Sequence, residues 1–509
     1  MKKIIYIFLV LVLLGTSCST NEKRQNVVDT DNIVFSDIPK LAAYLNLYLR
    51  THSTGSSFYN MDIAADLFNP TVGYGNRSGS WYRWEWTAQS NIGIFASCYS
   101  GIGQANFVIQ QAELIDKTTL TDAQIEELNS CLALAEFTKA FLGARLLIYY
   151  CELYTSKFID PHAEGTGIMI VDEFNPTGDI NSYPGRSSLV DSYNWVFTHL
   201  DNAKGLLKTT GEVGSIYPTK DACDALKARL ALFMGDNVTA ASIAGALADK
   251  TTYPLCADDK ETTALWTNDS GQECIMQMFA QYSASLPGSY NPGYVSYSSS
   301  SKLYSPDWVP SDWVPALYST TDYRASWFMT QSITVSGVKG TVILFNKFPG
   351  NPALQASTVV APASDYLQKP KPFRIAEQYL IAAEAYALSG AESTANRYLS
   401  ALKSKRDPNY TATTLSGNDL ITEIRNERTR ELIGEGFRFF DLKRYGQGMK
   451  RTGAQAGSVI SRSSADAPAE TMTIDASDYR WTQPIPQAEI DANPQIKSQQ
   501  NRGYTSTTE

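Results

Sequence analysis

Histidine is scarce in this 509-residue chain: 3 residues, against 29 Tyr, 20 Phe and 9 Trp. His52, His162 and His199 lack the spacing of metal ligands. A His-built metal centre or a Ser–His–Asp site therefore has little to draw on. G-x-S-x-G, H-E-x-x-H and the phosphate-loop glycine pattern are all missing. A pair of carboxylates for glycoside hydrolysis is the one catalytic arrangement left open. Basic residues are outnumbered, 43 to 52, for a net charge of −9. That argues against the clustered basic surface a nucleic-acid partner needs. There is no C-x-x-C. Beyond Cys18 the cysteines are Cys98, Cys131, Cys151, Cys223, Cys256 and Cys274, too dispersed for a zinc knuckle or redox pair. Several fall in apolar helical patterns, where a free thiol behaves as a small hydrophobe.

Long hydrophobic runs are also missing, except at the amino terminus. Met1-Lys2-Lys3 is a short positive segment, and Ile4 to Leu14 is uninterruptedly apolar. As a helix that run would reach roughly 16 Å, about half of a ~30 Å hydrocarbon core. It reads as the core of a signal peptide over residues 1–17, not as a span. Gly15-Thr16-Ser17-Cys18 follows and resembles the lipobox of bacterial lipoproteins, with cleavage before Cys18 and lipidation of that cysteine. The alternative is a plain secretory cleavage site. Residues 18–36 are polar and charged, the composition of a flexible tether. Residues 37–509 then read as a single domain.

Within it the dominant period is helical. Ile102, Ala105, Ile109 and Ala112 share one face of a helix over 101–114. Phe137, Phe141, Ala144, Ile148 and Cys151 do so over 124–154, with Ala140 and Gly143 interspersed where two helices would approach closely. Further amphipathic segments lie at 190–208, 219–234 and 237–249, the last two joined by Gly235-Asp236-Asn237 as a helical hairpin. Residues 375–388 and 391–405 form another, broken by Ser389-Gly390. Paired helices with alternating small and aromatic residues look like degenerate tetratricopeptide units. They are interrupted by insertions at 51–90, 155–188 and 251–370, rich in Gly, Ser, Pro, Asn and aromatics. Insertions of that length are usually functional. Short strand candidates within them are Glu273–Phe279 and Thr341–Phe345.

Three blocks resemble the RagB/SusD family. Asn426-Glu427-Arg428-Thr429-Arg430-Glu431-Leu432-Ile433-Gly434-Glu435-Gly436-Phe437-Arg438, continuing through Asp441 and Arg444, is similar to the family's E-R-x-x-E-L-x-G-E-G-x-R-x-x-D-L-x-R. Arg374 to Ala385 resembles its R-x-x-E-x-Y-L-x-x-A-E-A helix, and Trp481–Pro486 with Asn493-Pro494 and Gln500-Asn501 its closing segment. The resemblance implies a mostly helical SusD-like fold, with four tetratricopeptide-type helix pairs as scaffold and a loop-rich face near 51–90 and 251–370. It implies a lipid-anchored protein on the outer face of the outer membrane. Such a protein caps a SusC-like TonB-dependent transporter and captures oligosaccharides for import, or peptides in some branches. It is not an enzyme. A transporter-docking adaptor without its own ligand is the other alternative. No cofactor is implied; some relatives hold calcium, but no Asp-rich loop here specifies one. The charged block itself reads as structural, with Glu427 and Glu431 at i, i+4 near Arg428 and Arg430, and Gly434 and Gly436 freeing the backbone between helices.

A sugar presents apolar CH faces rimmed by hydroxyls, so its site needs flat aromatic platforms beside a few polar anchors. Trp81, Trp84 and Trp86 fall within six residues, after a loop carrying Asn76 and Arg77. Tyr290, Tyr294 and Tyr297, then Trp308 and Trp313, lie among Gly, Pro and Ser in the middle insertion. These aromatics, with Asn76, Arg77 and Asp66 as polar partners, are the expected ligand site. The resemblance implies that the two sets join in an arc over the sugar. Trp195, Trp266, Trp327 and Trp481 sit in apolar patterns and are assigned to the core.

Overall fold

A computed structural model describes residues 33–90, 93–283, 288–289 and 293–504. Cys18 and Tyr290 lie outside these described residues. Eight helices carry the frame: α1 Ile94–Glu113, α2 Asp122–Tyr150, α3 Leu189–Leu206, α4 Lys220–Met234, α5 Asn237–Ala248, α6 Ile375–Leu388, α7 Glu392–Lys403 and α8 Gly417–Leu432. Each packs on the next in chain order, so the four successive pairs continue even where the middle insertion separates α5 from α6. Local chemistry sets the ends. Thr121 opens α2 with a capping box, its hydroxyl accepting from Gln124 N while Gln124 Oε1 accepts from Thr121 N. Gly235, at φ 89°, closes α4. Small residues set the spacing: a Cβ on Gly143 would stand 2.6 Å from the Trp195 ring, so α2 and α3 can meet only over a glycine.

Among the described residues no helix is long and apolar enough to cross a membrane. Cys98, Cys131, Cys151, Cys223, Cys256 and Cys274 are buried free thiols, packed as the small hydrophobes their helical positions suggest.

The loop-rich side is tied down by short antiparallel pairs. Cys274–Met276 pairs with Phe373–Arg374, closing the base of the middle insertion just before α6. Phe68–Pro70 pairs with Trp308–Pro310, joining the amino-terminal insertion to the middle one. Phe328–Val335 and Val338–Phe345 form a hairpin, turned by Ser336 and Gly337 at φ 48° and 78°, the left-handed geometry a tight two-residue turn needs. A second hydrophobic cluster lies under these loops and holds Phe68, Tyr82, Trp266, Tyr294, Trp308, Phe345 and Phe348. All four tryptophans assigned to the core are buried.

The charged block is deeper than expected from the sequence. Its pairs are not only surface contacts along one helix. Glu431 accepts from Arg374 Nη1 at 2.9 Å, Arg406 Nε at 2.9 Å and Arg324 Nη1 at 2.9 Å. Glu427 accepts from Arg324 Nη1 at 2.7 Å and Arg430 Nε at 2.6 Å, whereas Arg428 turns to Asp441. Burial would raise the Glu431 carboxyl, but Arg406, Arg374 and Arg324 outweigh it and hold it well below the carboxylate range. Gly434 and Gly436, both at φ 79°, turn the chain from α8 into α9, Arg438–Tyr445. Every carboxylate here is matched to buried cations. The block is a structural junction.

Candidate ligand-binding site

The expected aromatic platforms are mostly sealed in. Trp84 is 2 % exposed, Trp86 5 %, and Tyr294 and Trp308 0 %, so none offers a face to a ligand. The reason lies in partners distant along the chain, which an amino-acid string does not display. Trp84 sits at φ 57°, its indole N–H donates to the Ala64 carbonyl at 2.7 Å, and its ring lies between Trp86, Phe439 and Trp481. Trp86 donates to the Tyr504 hydroxyl at 2.9 Å. Trp308 is locked by the strand pair against Phe68–Pro70 and packs on Tyr74 and Tyr82. Tyr294 stacks on Phe68, ring centres 4.6 Å apart. The two sets do not join in one arc: Trp84 and Trp86 belong to one hydrophobic cluster, and Tyr294 and Trp308, with Tyr74 and Tyr82, to another.

The polar partners divide. Asp66 is buried and chelated by Arg438, at 2.8 and 2.7 Å, which makes it a structural anchor and corrects its assignment as a ligand contact. Arg77 is exposed, yet both arms of its guanidinium rest on the buried Asp307. Asn76 is exposed in a left-handed turn and accepts from Arg83 Nη1 at 3.0 Å. Among the aromatics, Trp81, Tyr297 and Trp313 keep partial exposure. Trp81 leans on Trp86, and Trp313 lies under the Arg438 guanidinium.

From Asp307 the chain leads back to a cavity that the sequence did not single out. Tyr297 and Tyr304 face each other across a two-residue strand pair, ring centres 4.9 Å apart. Beside them opens a cavity of about 330 Å³ lined by Tyr304, Tyr366, Met329 and Val295. Asn268, Asn346, Gln355 and Ser364 add polar groups to its wall. Tyr366 holds it together. Its hydroxyl accepts from Tyr297 N at 3.1 Å, its own N donates to Ser364 Oγ at 2.9 Å, and its backbone is left-handed at φ 54°. A bulky residue in that region is uncommon and recurs at functional sites. Gly350 makes the approach feasible, since a Cβ there would stand 2.4 Å from Ser364 Oγ and 3.0 Å from Tyr366 Cα. Burial pushes the Tyr366 hydroxyl above its ordinary range, so it stays protonated and can donate. Asn346 Oδ1 is buried without a hydrogen-bond partner among the described residues.

Two half-buried phenol rings, a thioether and convergent amide and hydroxyl groups are a binding arrangement, with apolar faces for ring CH groups and donors and acceptors for hydroxyls. No group of three or more His, Cys, Asp or Glu that could hold a metal occurs among the described residues. The signal that could have found this cavity is the one that marked residues 251–370 as an insertion. Tyr304 follows a serine run and Tyr366 a Pro- and Ala-rich stretch. Tyr297 reaches it only through Tyr304 and the Tyr366 hydroxyl, and none of the expected aromatics among the described residues lines it.

Residues 345–504 match the sequence model of the SusD family. No curated protein matches the chain. Solved structures match it over nearly its full length. A SusD superfamily protein from Bacteroides thetaiotaomicron is 24 % identical with a TM-score of 0.75, covering 92 % of this chain and 100 % of that one. A SusD-like carbohydrate binding protein from Bacteroides vulgatus is 19 % identical, TM-score 0.73, covering 93 % and 100 %. A surface glycan-binding protein A from Bacteroides fluxus is 18 % identical, TM-score 0.67, covering 92 % and 99 %. These likenesses establish the fold.

Proposed function

We propose that this chain, a SusD-like protein by its carboxyl-terminal block and by its fold, captures oligosaccharides at the cell surface and passes them to a TonB-dependent transporter of the SusC type. The observation that carries the reading is the Tyr304–Tyr366 cavity on the loop-rich side, with two half-buried phenols and a wall of amide and hydroxyl side chains. The names of two of the similar structures, a carbohydrate binding protein and a surface glycan-binding protein, support the ligand class. Cys18 would carry the lipid that holds the protein to the outer membrane, with the polar residues after it as tether. Several acyl chains at ~0.8 kcal/mol per buried CH₂ make such attachment stable. Binding of this kind needs neither a cofactor nor catalysis.

Calorimetry of the purified protein against a panel of oligosaccharides and oligopeptides tests the ligand class. An oligosaccharide is expected to bind, with affinity lost at least tenfold in Tyr304→Ala and Tyr366→Ala. Binding of peptides alone would replace the sugar with the alternative cargo. A protein that binds neither but co-purifies with its transporter would be an adaptor.

A further inference from the structure

Among the described residues, every one that lines the Tyr304–Tyr366 cavity is uncharged. The chain around it has the same character. Residues 274–301 and 348–364 contain no Asp, Glu, Lys or Arg, two long departures in a chain that is 19 % charged overall.

Charges that neighbour the lining residues in sequence are spent elsewhere or left in water. Asn268 lines the cavity, but Asp269 beside it is buried and accepts from Lys371 Nζ at 2.5 Å and Asn351 Nδ2 at 2.7 Å. Asn346 lines it too, while Lys347 turns into the charged junction, donating to the Glu431 carbonyl at 2.8 Å and Glu435 Oε1 at 2.6 Å. Asp365, between Ser364 and Tyr366, is exposed and accepts from Ala356 N at 3.4 Å. Lys302, in the turn ahead of Tyr304, is exposed and does not line the cavity.

The consequence concerns which glycans can enter. A hydroxyl carried into such a space exchanges water for amide and hydroxyl partners at little net cost. A carboxylate or sulfate gives up far more hydration and meets no cation to receive it. We infer that the cavity selects uncharged oligosaccharides, built of neutral hexoses or pentoses, and rejects chains bearing uronate or sulfate groups. This rests on the reading of the cavity as the ligand site and adds which members of that ligand class it takes. Selection is then a difference of affinities set by desolvation.

Calorimetry with matched pairs tests it. Gluco- and galacto-oligosaccharides are each titrated beside the same chain oxidised to the uronate at C6, and xylo-oligosaccharides beside their glucuronate-branched forms. The readout is the affinity that Tyr304→Ala removes. A neutral chain is expected to bind at least about tenfold more tightly than its acidic partner. Its affinity should not change between low and high salt. Gln355→Lys places a cation on the half-buried wall and should narrow that ratio, with the gained part screened by salt. Ala363→Lys, on the same wall, serves should the first variant fail to fold. Equal or tighter binding of the acidic partner, or an unchanged ratio in a folded lysine variant, would overturn the charge selection and leave carbohydrate capture standing. Failure of every oligosaccharide to bind would overturn both.

Discussion

Tryptophans with the same neighbours in sequence can do opposite work. Trp84 and Trp308 looked like platforms because Gly, Pro, Ser and charged residues surround them, yet both are among the largest fully buried side chains. Burial follows from partners distant along the chain, the Ala64 carbonyl and the Phe68–Pro70 strand, which no local pattern reveals. Trp84→Ala or Trp308→Ala should therefore cost about 3–5 kcal/mol in denaturant unfolding. Tyr366→Ala should leave stability within about 1–2 kcal/mol and remove ligand binding instead, which the same melts and a titration separate. Asp62 supplies a second test. It is buried and accepts from Gly436 N at 3.0 Å, and burial raises its carboxyl to about 8 from an ordinary 3.8. A raised value means its contribution is present in full below 3.8 and is lost as pH climbs through 8. Asp62→Asn should fold normally, and its stability relative to wild type should increase from about pH 4 to about pH 8 and then level off.

Helices were the legible elements. The periodicity over 375–388 matches α6, and that over 219–234 and 237–249 matches α4 and α5 within a residue, because a buried stripe repeats at the helical period. The start of α1 at Ile94 was less visible, since its first turn carries no side-chain cap. What the charged block connects was hidden as well. Its partners Arg324, Arg374 and Arg406 come from three other segments, and an i, i+4 rule sees only one helix. Glu431→Gln should destabilise by about 3–5 kcal/mol, because it leaves three guanidinium groups underpaired in the interior. The acid limb follows from the same block. Burial raises the Glu427 carboxyl, but Arg324 and Arg430 outweigh it and lower it to about 2 from an ordinary 4.5. Its stabilisation is complete above 4.5 and disappears as pH falls towards 2, so the urea midpoint should drop across that window. Gly350→Val is expected to push Ser364 and Tyr366 apart, abolishing ligand binding while the scaffold melts nearly as before.

Taken as one body, the molecule separates a helical frame from a loop-built binding side, and the two were unequally readable. The frame announces itself in periodicity and in the blocks around Arg374 and Glu427. The binding side is assembled by short strand pairs between segments far apart in sequence, so which ring is lifted out and which is packed in is decided only in three dimensions. Hydrogen–deuterium exchange with and without a saturating oligosaccharide reads this division directly. Slowed exchange is expected at residues 295–304 and 346–366, with the Trp81–Trp86 segment unchanged. Protection confined to 81–86, with none around Tyr304 and Tyr366, would contradict it.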